Sequence, residues 1–238
     1  MNFRASPAGD IVRRREKSWR VVRSVGLIAL SGVLASCETA PVHTTVFRRD
    51  FRPDNVFVYP PKLSLDFRRV AVLPIAPADN DHDLPEGCDA LNPVLWDQII
   101  KTKRFEAVSV DAGHLSQRTG RATWTGREVL PPDFFAYLRR EYDCDGVLFA
   151  ELTTYRAYSP LAVGWRFKLV DVRTGQVIWS ADETFDASRP DVQNAADHFV
   201  TEKPQIPFIS TKNWAMTASP RLFGRYSAAA LLDTLPER

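Results

Sequence analysis

Residues 146–186, with the sequence GVLFAELTTYRAYSPLAVGWRFKLVDVRTGQVIWSADETFD, show the clearest secondary-structure pattern in this chain. Two segments within them, around Trp165 and Trp179, alternate apolar with polar side chains, a period typical of β-strands with one buried face. Gly175 lies between these segments, and glycine adopts the positive φ of a tight hairpin turn at little cost. The apolar run VLFA at the start suits a strand in the middle of a sheet. The stretch therefore predicts three consecutive antiparallel strands.

Two groups of large side chains in this stretch have different interpretations. Large rings at strand spacing are usually buried, so we interpret one group as core: Trp165, Phe167 and Trp179. The other group crowds the turn between the first two strands and is our candidate partner-binding site: Tyr155, Tyr158 and Leu161. An alternative stays open for this second group, in which its side chains fold back into the core.

Two strand–helix units precede these strands. The run RRVAVLPI at residues 68–75 and the segment 105–110 are predicted strands. Between them, apolar spacing predicts a helix over about residues 88–102, beginning nearer to Leu91 so that Pro93 falls in its first turn. A second helix follows before the three strands. The order strand, helix, strand, helix and three strands predicts an α/β fold with a mixed sheet, in which two parallel crossovers join an antiparallel meander.

The predicted α/β core domain covers residues 55–186, and residues 187–238 form a C-terminal extension. In the extension, Ser219 and Pro220 are a typical helix N-cap and first helical residue. The helix carries an apolar stripe of Leu222, Tyr226, Ala229 and Leu232. Two interpretations are open: the helix packs on the same sheet, or it is a docking helix for a partner.

Residues 1–36 have the composition of an export signal peptide. Seven basic residues precede the ten-residue stretch VGLIALSGVL at 25–34. A helix of that length is about 15 Å long, too short for a stable transmembrane segment. The arginine run at residues 13–15 also suits twin-arginine export, although it lies far from the apolar stretch. The general secretory and twin-arginine routes both stay open.

The sequence LASC at residues 34–37 resembles the lipobox of bacterial lipoproteins. In that family the cysteine is acylated and becomes the mature N-terminus, which implies lipidation of Cys37. Residues 37–54 are then a lipidated tether, and several acyl chains anchor a protein stably where one does not. Glu38 stands where an aspartate marks inner-membrane retention in some bacteria. The resemblance therefore implies the outer membrane of the cell envelope, with the domain in the periplasm.

The charge of the mature chain limits its partners. The whole sequence carries 31 basic and 29 acidic residues, a net charge of +2. Seven basic and two acidic residues fall within residues 1–36, so the remainder has 24 basic and 27 acidic residues and a net charge of −3. A mildly acidic domain lacks the cations that bind a phosphate backbone. We therefore exclude nucleic acid as a partner.

The residues that could carry chemistry are scattered. The segment DNDHD at 79–83 starts like a calcium loop, but Leu84 stands where that loop needs glycine and Ala90 where it needs glutamate. The motifs of a nucleophile elbow, a zinc protease or a phosphate loop do not occur. We therefore predict no metal, no cofactor and no enzyme activity. Cys88 and Cys144 could pair after export, yet they are expected at opposite edges of the sheet, so the disulfide stays open.

The order of elements, opened by VAVLPI and closed by LVDVRTGQVIW, resembles a bacterial envelope superfamily. That superfamily includes the amino-terminal domain of the TolB protein, the curli secretion-channel lipoprotein and lipoprotein activators of penicillin-binding proteins. The resemblance covers about residues 68–186 and implies a non-catalytic domain that binds or assembles with envelope proteins. The shared motifs are structural, so they imply no catalytic residue.

These observations lead to one predicted function and two alternatives. The first is a non-catalytic outer-membrane lipoprotein whose periplasmic domain binds another envelope protein. One alternative is a homo-oligomeric, self-assembling subunit of an envelope secretion or assembly complex. The other is a cell-envelope hydrolase, which only the predicted location favours.

Overall fold

The computed structural model describes residues 51–78, 83–202 and 218–238. The predicted signal peptide, Cys37, most of the tether 37–54 and most of the acidic segment 79–83 lie outside the described residues. Among the helices that are described, none combines the length and the apolar character needed to cross a membrane.

The described residues form seven strands and five helices. The strands are β1 (Val56–Val58), β2 (Arg69–Val72), β3 (Ala76–Pro77), β4 (Glu106–Ser109), β5 (Gly146–Arg156), β6 (Ala162–Asp171) and β7 (Val177–Asp186). The helices are α1 (Asp83–Thr102), α2 (Ala112–Thr119), α3 (Phe134–Tyr142), α4 (Pro190–Glu202) and α5 (Pro220–Leu232).

All seven strands belong to one mixed sheet, so the predicted fold class is confirmed. The strand order is β1-β7-β6-β5-β2-β4, with β3 pairing beside β2 along the second half of β5. β2 is parallel to both β4 and β5. β5, β6, β7 and β1 are antiparallel in succession. The three long strands are the predicted meander, and Gly175 adopts φ 70° in the turn between β6 and β7.

The helices cover both faces of the sheet because the two crossovers run in opposite directions. From β2 the chain passes through α1 to β4, and from β4 it passes through α2 and α3 to β5 on the other side of β2. Right-handed crossovers of opposite direction place their helices on opposite faces. One core cluster accordingly contains side chains of α1, α4 and α5, and a second contains those of α2 and α3.

The aromatic side chains of the meander are core, as predicted. Trp165, Phe167 and Trp179 are fully buried, and their rings stack: Trp165 on Phe167 along β6, with ring centroids 5.4 Å apart, and Phe167 on Trp179 of the neighbouring β7, at 5.9 Å. Both indole N–H groups donate to hydroxyl groups in the C-terminal segment: Trp165 donates to Ser227 Oγ in α5 at 2.9 Å, and Trp179 donates to Thr234 Oγ1, just beyond the end of α5, at 3.0 Å. The sheet and α5 are therefore joined by directional bonds as well as by apolar contact.

Helix α5 packs on the sheet, which confirms the first of its two interpretations. Ser219 is the N-cap and its hydroxyl accepts a hydrogen bond from the Leu222 N–H at 3.4 Å. Phe223, Tyr226 and Leu231 are buried in the same cluster as the meander tryptophans. Side chains beyond residue 186 thus complete the core of the strands before it.

Helix α1 begins earlier than the sequence predicts. It starts at Asp83 rather than near Leu91, and Pro93 lies inside it. Proline removes one backbone hydrogen bond from a helix interior, but Pro93 is on the exposed side. The added turns bury Leu84 and Cys88, and this apolar burial offsets the lost bond.

The two cysteines of the described domain are free thiols. Cys88 belongs to the core cluster of α1, and Cys144 to the cluster of α2 and α3. Since the sheet separates these clusters, the thiols cannot meet, which answers the question that the sequence left open.

Candidate partner-binding surface

The turn between β5 and β6, residues 157–161, stands at one end of the sheet. β5 and β6 extend past β2, since β2 has four residues and β5 has eleven. At the end of this ribbon Arg156 pairs with Ala162, and Ala162 pairs with Asp186 on β7. The turn is therefore carried by three strands in register.

Arg156 holds the turn in place. Its guanidinium Nη2 contacts the Asp186 carboxylate at 3.1 and 3.2 Å, and its Nε donates to the carbonyl of Pro160. The backbone adds a further bond, from the Ala187 N–H to the Leu161 carbonyl at 2.8 Å. These bonds fix both limbs of the turn to the end of β7.

Asp186 is suited to this role electrostatically. Its partial burial acts to raise the pKa of the carboxyl group, but hydrogen bonds from Ser188 and the charge and hydrogen bonds of Arg156 outweigh it. The net result is a pKa below the usual range for aspartate. The carboxylate therefore stays ionised, and the salt bridge stays formed, at neutral pH.

The structure separates the three predicted site residues. Tyr158 is 69% exposed at the tip of the turn. Tyr155 is half-buried against α1, where a Cβ on Gly87 would lie 2.6 Å from its ring. Its burial, together with the charge of Glu86, raises the pKa of its phenol, which the charge of Arg221 opposes.

Leu161 does not belong to an open surface. It is 1% exposed and lies in the core cluster of α1 and α5. The sequence prediction that Leu161 lines a surface is therefore wrong for this residue, because the turn folds it under the exposed tip. Of the three residues, Tyr158 is the one that is available to a partner.

The described chain begins at the same end of the sheet as this turn. Phe51 packs edge-on against Phe185, with ring centroids 5.1 Å apart, and the guanidinium of Arg189 lies 4.9 Å from the Phe51 ring. The Phe51 N–H also donates to the Asp191 carbonyl at 3.3 Å. Since Phe185 and Asp186 end β7, residue 51 and the Tyr158 turn share one end of the domain.

The sequence did not predict the buried carboxylate of Glu151, which lies on the face of the sheet that α2 and α3 cover. Glu151 is 1% exposed and accepts hydrogen bonds from Arg127 at 2.6 Å and Arg166 at 2.9 Å. Arg166 also contacts Asp182 at 2.5 Å. A buried carboxylate needs such compensation. Because Arg127 lies in the loop between α2 and α3, these pairs fasten that loop to the meander. The alternation of β6 exposes Arg166, but no sequence pattern indicates its pairing with Glu151.

A crevice of about 460 Å³ lies outside the carboxyl ends of β2 and β4, where the crossovers leave in opposite directions. Ligands of open α/β sheets often bind at such a point. Its walls include Leu73, Trp96 and Val110, and its carboxylate, Asp111, is engaged as the N-cap of α2, accepting from the His114 N–H at 2.9 Å. The lining therefore combines apolar and polar side chains and holds no acid–base pair.

The described residues contain no group of three or more His, Cys, Asp or Glu side chains that could hold a metal ion. Residues 79–82 of the acidic segment lie outside the described residues. Asp83, the last residue of that segment, is the first residue of α1.

No family model and no curated protein matches the sequence. Solved structures with a similar chain path include a PelC dodecamer from Paraburkholderia phytofirmans, at 15% identity over 79% of this chain and 97% of that chain, with a TM-score of 0.39. Lipoprotein GNA1162 from Neisseria meningitidis matches at 14% identity over 58% of this chain and 99% of that one, with a TM-score of 0.38. The LpoB C-terminal domain from Salmonella enterica matches at 19% identity over 50% and 82%, with a TM-score of 0.30. These values do not confirm the superfamily that the sequence resembles.

Proposed function

We propose that this chain is a non-catalytic lipoprotein of the outer membrane, anchored through acylated Cys37. Its periplasmic α/β domain binds another envelope protein through the turn that carries Tyr158. The observation that carries the proposal is an exposed tyrosine on a turn that Arg156 holds in one conformation.

A tyrosine in this setting is a favourable binding residue. Tyrosine combines a large apolar ring with a hydroxyl group and has few torsions to immobilise, and it is enriched among the residues that dominate interface energies. A turn that is already ordered loses less conformational entropy when a partner binds. Both properties favour Tyr158 as the residue that contacts the partner.

The position of the turn also suits a membrane-anchored adaptor. Thirteen residues separate Cys37 from Phe51, and fully extended they reach at most about 50 Å. Because Phe51 and the turn share one end of the domain, the tether keeps Tyr158 within that distance of the bilayer surface, plus the width of the domain end. The partner is therefore expected to be a membrane protein or a protein close to the membrane.

The test uses the full-length chain in growing bacteria. A photo-crosslinking amino acid at position 158 should give one discrete adduct, identified by mass spectrometry, that the same group at Val129 does not give. Val129 is the matched control because it is exposed and lies in a loop on the other face. Absence of an adduct at 158, or the same adducts at both positions, would contradict the proposed surface.

The anchor is tested separately in the same cells. Wild-type protein should incorporate labelled palmitate and fractionate with the outer membrane, and Cys37→Ala should lose both properties. Palmitate labelling that persists in Cys37→Ala would refute lipidation at this residue without bearing on Tyr158.

A further inference from the structure

Strand β1 forms one edge of the sheet and carries an apolar surface. Within residues 55–59, which we call the β1 edge, three consecutive side chains are exposed: Phe57 by 50%, Val58 by 37% and Tyr59 by 66%. β1 pairs with β7 on one side, and it stands at the end of the strand order of the described sheet. Contiguous exposed apolar side chains on an edge strand are typical of interaction sites.

The backbone hydrogen bonds between β1 and β7 show which N–H and C=O groups of the β1 edge point away from the sheet. The Tyr59 N–H donates to the Ile178 carbonyl at 2.8 Å, and the Asp182 N–H donates to the Asn55 carbonyl at 3.1 Å. In an antiparallel pair, inward-bonding and outward-pointing residues alternate. Asn55, Phe57 and Tyr59 therefore bond inward to β7. The N–H and C=O groups of Val56 and Val58 point outward, away from the sheet.

The opposite edge of the sheet, β4, carries a charged side chain, whereas the β1 edge carries none. β4 carries Glu106, which forms a salt bridge with Arg69 at 3.0 Å, and it ends at the exposed Ser109. Charged side chains on an edge discourage pairing with another strand. The segment NVFVYPP at residues 55–61 contains no charged residue.

We propose that the β1 edge pairs with the β1 edge of a second copy of this chain, antiparallel and about a two-fold axis at Phe57. In this register Val56 faces Val58 of the second copy and Val58 faces its Val56. All four outward N–H groups then donate to outward carbonyl groups. The two Phe57 rings meet on one face of the continuous sheet, and Asn55 faces Tyr59 of the second copy.

Three properties of the edge favour a second copy over a longer strand from another protein. The register centred on Phe57 uses every outward donor, whereas moving the two-fold axis to Val56 or to Val58 places Asp54 or Pro60 opposite a valine. The uncharged segment brings no like charges together across the axis. Pro60 and Pro61 end the pairing after five residues, so the edge is too short to use the length of a longer strand.

The contact area is small, and this determines whether the dimer forms in solution or on the membrane. Five residues a side bury far less than the roughly 1,200 Å² of a stable interface in solution. Chains that share one membrane have a much higher effective concentration. The dimer therefore rests on the anchoring proposed above, and it is expected on the membrane and in the absence of any other protein.

Cysteine crosslinking of the full-length chain in cells tests the register. The native thiols Cys88 and Cys144 are buried, so an introduced surface thiol dominates the reaction. Phe57→Cys should give a disulfide-linked homodimer under mild oxidation, because facing positions of an antiparallel pair suit a disulfide. Val129→Cys, which is more exposed than Phe57, should stay monomeric.

A second design keeps the Phe57 ring and tests which residues face each other across the two-fold axis. The double variant Asn55→Cys with Tyr59→Cys should form the dimer, whereas either single variant should not, since residue 55 faces residue 59 of the other copy. Adding Val58→Pro should abolish the dimer, because it removes an outward N–H and leaves the bonds to β7 in place.

The outcomes separate the pairing from the anchor. Protein that carries palmitate but remains monomeric in both cysteine designs overturns the pairing and leaves the lipoprotein proposal intact. Loss of palmitate and of membrane fractionation overturns the anchor. A disulfide to a different protein, or a dimer that Val58→Pro leaves unchanged, also overturns self-pairing through β1.

Discussion

The substitution Ser227→Ala tests how the C-terminal helix is held to the sheet. Ser227 is fully buried in α5, and its Oγ accepts the indole N–H of Trp165 at 2.9 Å and donates to the Gly224 carbonyl at 3.0 Å. Alanine removes the acceptor and leaves the N–H of a fully buried tryptophan without a partner. The fold itself should persist, because the change removes one atom and leaves the helix residues around it in place.

The expected loss in the free energy of unfolding is the difference between two contributions of opposite sign. An unsatisfied buried donor costs about 1–3 kcal/mol, and alanine returns about 0.5 kcal/mol through its higher helix propensity. We therefore expect the free energy of unfolding to fall by about 1.5 kcal/mol. That is a roughly 13-fold change in the unfolding equilibrium, or about 3–6 °C in Tm for a domain of this size.

The assay is urea unfolding followed by tryptophan fluorescence and by circular dichroism. Thr234→Ala is the matched comparison, since Thr234 accepts the same kind of bond from Trp179 but is partly exposed. Water can replace its hydroxyl, so the loss should stay below about 1 kcal/mol. In a Trp165→Phe background the orphaned donor is gone, and Ser227→Ala should cost about 1–2 kcal/mol less than in wild type. An equal cost in both backgrounds would refute the reasoning.

Three further predictions concern the turn and the thiols. Leu161→Ala should lower the free energy of unfolding by about 3 kcal/mol, as for other buried leucines, whereas Tyr158→Ala should change it by less than about 0.5 kcal/mol; urea unfolding measures both. Burial raises the pKa of the Cys88 and Cys144 thiols to about 11. Both should react slowly with a disulfide reagent at pH 8 until urea is added, and stability should fall as pH rises from about 9 to about 11, since the unfolded state loses its thiol protons first. The pKa of Asp186 is lowered in the folded state, so its salt bridge stabilises the protein at neutral pH, and this contribution is lost as the pH falls through the lowered pKa. Asp186→Asn should therefore cost less stability at pH 3 than at pH 7 in urea titrations.

Each of these has a result that would contradict it. A Leu161→Ala protein as stable as wild type would mean that the turn does not bury this side chain. Rapid labelling of both thiols in native protein would contradict their burial. An equal effect of Asp186→Asn at both pH values would show that ionisation of the carboxylate does not contribute.

Local patterns in the sequence predicted the secondary structure well where neighbours along the chain decide it. The meander was predicted because a strand alternates its side chains with a period of two, whatever lies opposite. The start of α1 was missed for the complementary reason. Pro93 is a local signal against a helix, and the burial of Leu84 and Cys88 that overrides it depends on strands and a helix far away in sequence.

The candidate partner-binding surface also depends partly on local sequence and partly on contacts between distant residues. Tyr155, Tyr158 and Leu161 are close in sequence, and composition alone does not tell which of them the turn exposes. The answer depends on Arg156 reaching Asp186, thirty residues away, and this contact requires the register of three strands. The segment from Val56 to Tyr59 indicates a short strand, but a strand of three residues carries too little periodicity to indicate which strand it pairs with or that it forms an edge of the sheet.

By itself the sequence predicted an export signal and, through the lipobox resemblance, lipidation at Cys37; it also determined the order of the main strands and helices and the aromatic core of the meander. These features depend on composition and on periods of a few residues, which act locally. Only the tertiary structure decided that Tyr158 is exposed while Leu161 is buried, that the two thiols lie on opposite faces, and that β1 offers an uncharged edge. Those outcomes depend on strand register and on the direction of the crossovers, which bring together residues that are far apart in the chain.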